Sequence, residues 1–122
     1  MRDRATARRL VPSGVALLTA AAHKGGKEIG LALAADGYDV VVSSEAMLRG
    51  RAAAIRATGR KAEAFRNFTY DERELDALLQ LCANLGPLTL VVHVAPDHVP
   101  LARFADALER HDLAPDIVFA EV

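Results

Sequence analysis

Residues 15–30 read Val15-Ala16-Leu17-Leu18-Thr19-Ala20-Ala21-Ala22-His23-Lys24-Gly25-Gly26-Lys27-Glu28-Ile29-Gly30, and the reading of the fold turns on them. Residues 15–19 are an uncharged, mostly apolar run of the kind that forms a buried strand. A glycine-bearing turn follows. Ile29, Ala32, Leu33 and Asp36 then recur at helical spacing up to Gly37, a usual C-terminal residue of a helix. Three more runs of strand character lie at 38–43, 61–65 and 88–94, so successive strands start 23, 23 and 27 residues apart. Each gap holds a stretch of helical period, the signature of βαβ units and a parallel sheet.

Punctuation places the other helices. The second spans 45–58 and stops at Gly59; Ala52, Ala53 and Ile55 are expected to face inward, and Arg49, Arg51, Arg56 and Arg60 to form its solvated face. The third opens at Thr69-Tyr70-Asp71-Glu72, read as a capping box between Thr69 and Glu72, and closes at Gly86-Pro87. Its apolar stripe is Leu75, Leu78, Leu79, Cys82 and Leu85, which makes Cys82 a core residue and not a nucleophile or ligand. A fourth helix is expected over 101–111. Residues 117–122 stay ambiguous, because Ile117, Val118 and Phe119 favour a strand while Pro115-Asp116 can open a helix.

Length and composition fit this plan. The chain has 122 residues, 52% hydrophobic and 25% charged, with a formal net charge of −1. That describes one ordinary soluble domain, large enough for a single core without disulfides or metals. Near-neutral charge argues against a nucleic-acid partner. No run reaches the 18 or so apolar residues of a membrane span. One cysteine permits no internal disulfide, so the cytoplasm is the expected compartment. Residues 1–14, with four Arg and one Asp, read as a basic, flexible tail before a domain at 15–122. Arg8 and Arg9 ahead of the uncharged stretch 15–22 also read as a short export signal, an alternative against which Pro12-Ser13-Gly14 weighs.

The turn Thr19 to Gly30, with the run on through Asp36-Gly37-Tyr38-Asp39-Val40-Val41-Val42, resembles the short-chain dehydrogenase/reductase family, whose turn reads T-G-x-x-x-G-x-G. The likeness continues at Ile55-Arg56-Ala57-Thr58-Gly59, at Asn67-Phe68-Thr69 where the family has D-V-T, and at Leu85-Gly86-Pro87-Leu88. It ends at His93-Val94-Ala95-Pro96, where the family has N-N-A-G. The resemblance implies a three-layer, doubly wound, Rossmann-like α/β fold with strand order 3-2-1-4 and, if 117–122 is extended, a fifth strand. It also implies a dinucleotide, NADP or NAD, on Thr19, Ala20, His23, Lys24, Gly25, Gly26, Ser44, Asn67, Phe68 and Ala95. Thr19 and Gly26 keep the family's residues, whereas Ala20 and Lys24 replace its first two glycines, which serve a tight turn and close backbone approach to phosphate. His23-Lys24 is therefore either a remodelled anion site or a solvated loop. Ser43-Ser44 stands where an Asp would hold the NAD ribose, which favours NADP with Lys24 or Arg49 as counter-charge and equally fits loss of the cofactor.

The family's hydride-transfer enzymes use a Ser and a Tyr-x-x-x-Lys pair, in which the Lys lowers the Tyr pKa. Here the only tyrosines, Tyr38 and Tyr70, are followed four residues on by Val42 and Glu74. His93, Asp97 and His98 cluster after the fourth strand but lack a third or fourth convergent ligand for a metal. Three readings stand: a truncated relative with the nucleotide-binding half and no turnover of its own; the first part of an active NAD(P)H-dependent carbonyl reductase; and a structural pseudo-domain that binds no nucleotide. Truncation after the fourth strand would leave that strand as an open edge: 117–122 folding back as a fifth strand would cover it and allow a monomer, whereas a helical 117–122, which the resemblance favours, predicts a second copy or another partner along it.

Overall fold

A computed structural model describes residues 14–19, 25–44, 48–66, 70–95 and 101–121. The elements alternate: β1 (Val15–Thr19), α1 (Gly26–Ala35), β2 (Asp39–Ser44), α2 (Arg49–Arg56), β3 (Ala62–Arg66), α3 (Glu72–Leu85), β4 (Leu88–Ala95), α4 (Leu101–Arg110) and β5 (Asp116–Glu121). All strand pairs are parallel, in the order β3-β2-β1-β4-β5. The expected order 3-2-1-4 is present, and the ambiguous C-terminal segment is its fifth strand. The run that also reads as an export signal forms, through Thr19, the middle strand of the sheet.

Two cores flank the sheet. On one face α1 and α2 pack Leu33, Ala34, Ala52 and Ile55 against Ala16, Leu18, Val40, Val42, Val92 and Val94. On the other, α3 and α4 pack Leu75, Leu78, Leu79, Cys82, Phe104, Ala107 and Leu108 against Val15, Leu17, Val41 and Val91. Consecutive β1 residues alternate between these cores, and all five are buried, as a strand covered on both faces requires. The β1–β4 register shifts between Val15 and Ala16, which pair with Leu88 and Leu90. This bulge lets Leu88 and Val91 face the same core, although strict alternation would part them. Gly14, at φ 90, is pressed against it, and a Cβ there would lie 2.8 Å from the Pro87 carbonyl.

Several expectations need correction. The α2 helix is shorter than 45–58, and residues 45–47 lie outside the described segments. Ala53 faces solvent because only Ala52 and Ile55 share the helix's inner line, and Ala32 and Asp36 of the expected first stripe are exposed. The α3 cap sits two residues later than the Thr69–Glu72 box. Asp71 is the N-cap and accepts the Glu74 N–H at 2.8 Å, while the Glu74 carboxylate accepts the Tyr70 N–H at 3.1 Å. A reciprocal box forms, shifted because Tyr70 takes up a left-handed turn, φ 52, that buries its ring before the helix begins. Cys82 is fully buried, and desolvation pushes its thiol up to about 12, as its place in the core predicts.

Of the two expected covers for the fourth strand the structure has the fifth strand, and the helical segment that the resemblance favours is corrected. Residues 90–95 of β4 are bonded in register to Asp116–Glu121, so β4 has a neighbouring strand on each side. The apolar segment 117–119 supplies this cover and itself remains at the margin, with Ile117, Val118 and Phe119 exposed at 45%, 46% and 56%.

Candidate functional site: the carboxyl ends of β1, β2 and β4

In an open parallel sheet ligands bind outside the carboxyl ends of the strands, where the strand order reverses. Here the reversal falls between β1 and β4, whose last paired residues are Thr19 and His93. Both are buried. The Thr19 hydroxyl and the His93 Nδ1 lie 2.7 Å apart in a hydrogen bond whose direction follows the ring tautomer. It ties the floor of the crevice across two strands that are 74 residues apart in sequence. On the far side of His93 the Phe119 ring of β5 stands edge-on, with centroids 5.9 Å apart and planes at 84°.

The rim is formed where the chain turns into α1. Gly25 is the N-cap at φ 91 and ψ −14, a left-handed conformation that glycine adopts without steric cost, and its carbonyl accepts the Ile29 N–H at 3.0 Å. Having no side chain, Gly25 offers no cap to the first N–H groups of the helix. The positive end of the dipole therefore lies at the carboxyl end of the sheet, where Glu28 is the acidic residue of the first turn among the described residues. Gly26 is buried. Gly30, one turn on, allows α1 to lie against α2: a Cβ there would come within 3.0 Å of Ile55 Cδ1, while Leu18 Cδ2 on the sheet would stay at an ordinary 3.7 Å.

The sequence-predicted residues that are described thus share one end of the sheet. Thr19 ends β1, Gly25 and Gly26 begin α1, Ser44 ends β2 and Ala95 ends β4. Ala20, His23, Lys24, Asn67 and Phe68 lie outside the described segments, as do Asp97 and His98. Among the described residues no three His, Cys, Asp or Glu side chains are grouped to hold a metal ion. Ser43, beside Ser44, is fully buried with its hydroxyl unpartnered among the described residues. The Thr19–His93 bond is the feature that sequence reasoning missed. Its signal was there, because the two polar residues stand at or near the carboxyl ends of largely aliphatic strands that a 3-2-1-4 order makes neighbours.

A parallel sheet of this order, with a glycine turn at its first strand-to-helix junction, defines the class of dinucleotide-type α/β folds. No protein-family model matches the sequence, and no curated protein is similar to it. Solved structures are. A short-chain type dehydrogenase/reductase from Mycobacterium marinum superposes with TM-score 0.72 at 21% identity, covering 96% of this chain and 59% of that one. A hydroxysteroid dehydrogenase from Escherichia coli gives 0.62 at 31% identity over 80% of this chain and 43% of its own. A metagenomic short-chain oxidoreductase in complex with NADP gives 0.64 at 20% identity, over 89% and 61%. The chain has the Rossmann-like fold of the short-chain dehydrogenase/reductases, and it spans between 43% and 61% of the length of these three structures.

Proposed function

We propose that this chain is a short-chain dehydrogenase/reductase-like unit that binds a nicotinamide dinucleotide at the carboxyl ends of β1, β2 and β4 and, as a 122-residue chain, does not itself turn over a carbonyl or alcohol substrate. The observation that carries the reading is the Gly25–Gly26 turn, whose glycine N-cap gives the helix N-terminus no side-chain cap among the described residues beside the β1–β4 switch point, the arrangement that receives a pyrophosphate in this class of fold. Thr19, Gly25, Gly26, Ser44 and Ala95 are the proposed contacts from the described residues. Ala20, His23, Lys24, Asn67 and Phe68 are proposed on the sequence resemblance. NADP is preferred over NAD because Ser44 removes the acidic ribose partner, and Arg49 opens α2 on an exposed position after the same strand. The likeness to a structure in complex with NADP supports the same choice. The absence of turnover rests on the sequence: four residues after Tyr38 and Tyr70 stand Val42 and Glu74, so neither begins the Tyr-x-x-x-Lys pair in which a lysine lowers the phenol pKa.

Titration with NADPH and NADH, followed by the nicotinamide's own fluorescence and by Tm, tests the binding. NADPH is expected to raise Tm in a concentration-dependent way and NADH to do so less. If the Lys24 ammonium meets a phosphate, Lys24→Ala weakens binding by about 1.5 to 3 kcal/mol. If Lys24 instead obstructs the turn, Lys24→Gly strengthens it. No binding by wild type or either variant rejects the dinucleotide reading, and NADPH oxidation by the pure chain that is abolished by Tyr38→Phe or Tyr70→Phe rejects the absence of turnover.

A further inference from the structure

A cavity of about 230 Å³ lies between α4 and the β1–β4–β5 part of the sheet. Its floor is Thr19, Val91 and His93, one wall is Phe104 and Ala105 of α4, and the other is Ile117 and Phe119 of β5. We propose that it is a binding site for a neutral aromatic molecule of one or two rings, independent of whether a dinucleotide occupies the glycine turn.

The chemistry of the walls selects this ligand. None of the lining residues among those described is Asp, Glu, Lys or Arg, and two of the polar atoms, the Thr19 hydroxyl and His93 Nδ1, are bonded to each other. A charged or strongly hydrated ligand would lose its water here without recovering the hydrogen bonds, whereas a carbon surface loses nothing. Three rings border the space. Phe104 is buried, and His93 and Phe119 already stand edge to face, an arrangement that a further ring extends by presenting its edge or face to either. Ile117 and Phe119 leave about half their surface in water, so a ligand gains their apolar area without displacing a packed side chain. The size agrees, since a dry apolar cavity of roughly 150 Å³ takes benzene, and this larger one has room for a second fused ring. A dinucleotide is excluded from it by bulk, and the described lining residues include no cation for its phosphates.

The isoleucines make the test specific. The chain has three, of which Ile117 lines the cavity while Ile29 and Ile55 pack in the core on the opposite face of the sheet. With isoleucine methyls labelled for NMR, titration with indole is expected to move the Ile117 signal saturably and leave the other two in place. Glycerol is expected to move none. Ala105, exposed on α4 at the cavity wall, is changed to Phe to fill the space; Ala105→Phe should weaken indole binding about tenfold or more while the Ile29 and Ile55 signals report an intact fold. The proposal is overturned if indole moves no signal, if it moves all three alike, or if Ala105→Phe leaves the Ile117 titration unchanged.

Discussion

Strands β1 and β5 are written in nearly the same alphabet and live under opposite conditions. Val15-Ala16-Leu17-Leu18-Thr19 sits between β2 and β4 with a helical layer on each face, and all five residues are buried. Ile117-Val118-Phe119-Ala120 is as apolar, yet it has one neighbouring strand and its three large side chains are about half exposed. Composition favours a strand for both, and for the second the pairing with β4 decides it. Place in the order decides which of them is core. The contrast also divides the helices, because α3 reaches across the middle of the sheet while α4 is the helix that meets β5.

The largest expected effect tests the middle. Leu17→Ala removes a fully buried side chain from a strand enclosed on every side and should destabilise by about 2 to 5 kcal/mol in urea unfolding. Phe119→Ala, at the margin, should cost less than about 1.5 kcal/mol, chiefly its edge-to-face contact with His93. Equal losses would abolish the distinction. Next comes the helix over the middle. Asp71→Ala deprives α3 of its N-cap and should lower stability by about 1 kcal/mol, whereas Thr69→Ala should cost less, since Thr69 is not the cap.

The smallest effect concerns the fastening of α4. Asp76 accepts hydrogen bonds from His111 Nε2 at 2.8 Å and Arg110 Nη2 at 2.7 Å, joining α3 to the end of α4. These bonds, His111 first and Arg110 second, hold its carboxyl below the ordinary value of 3.8. A folded pKa below the unfolded one contributes stability that is present above about pH 4 and is lost as pH falls through the folded value. Melts of wild type and Asp76→Asn should therefore differ slightly at pH 6 and converge at the acid end. A difference that persists to pH 2 would mean that the carboxylate's charge is not what fastens the helix.

The parallel order and the core place of Cys82 were legible in spacing and periodicity, because one helix between successive strands spaces them evenly and a covered helix leaves an apolar stripe. Three features were not. The α3 cap was misplaced because Thr69 and Asp71 each begin a plausible box, and only the left-handed turn at Tyr70, which no residue type announces, decides between them. Residues 117–119 read either way, since a short β-branched run after Pro115 carries no period long enough to choose; pairing with β4 chooses. The Thr19–His93 bond depends on a register between distant strands, set in part by the bulge at Leu88–Leu90. Of the candidate site, the positions at the strand ends were readable from the motif, while what His93 does in place of an asparagine became visible only once β1 lay beside β4.

The strand order also fixes how far the chain must travel to close itself. The β1–β2 pairing Val15↔Asp39 spans 24 residues, and Leu90↔Asp116 spans 26, each bridged by one helix. The β1–β4 pairing Val15↔Leu88 spans 73. Tripling a loop raises its closure cost by only about 1 kcal/mol, so the long connection is thermodynamically tolerable. Its consequence is kinetic, because non-local pairings slow the search for the native topology. Two local modules, β1-α1-β2-α2-β3 and β4-α4-β5, can each form over short loops, and they join along a single seam. The Thr19–His93 bond lies at one end of that seam and the bulge at Leu88–Leu90 at the other, so the crevice is complete only once the seam has closed along its length.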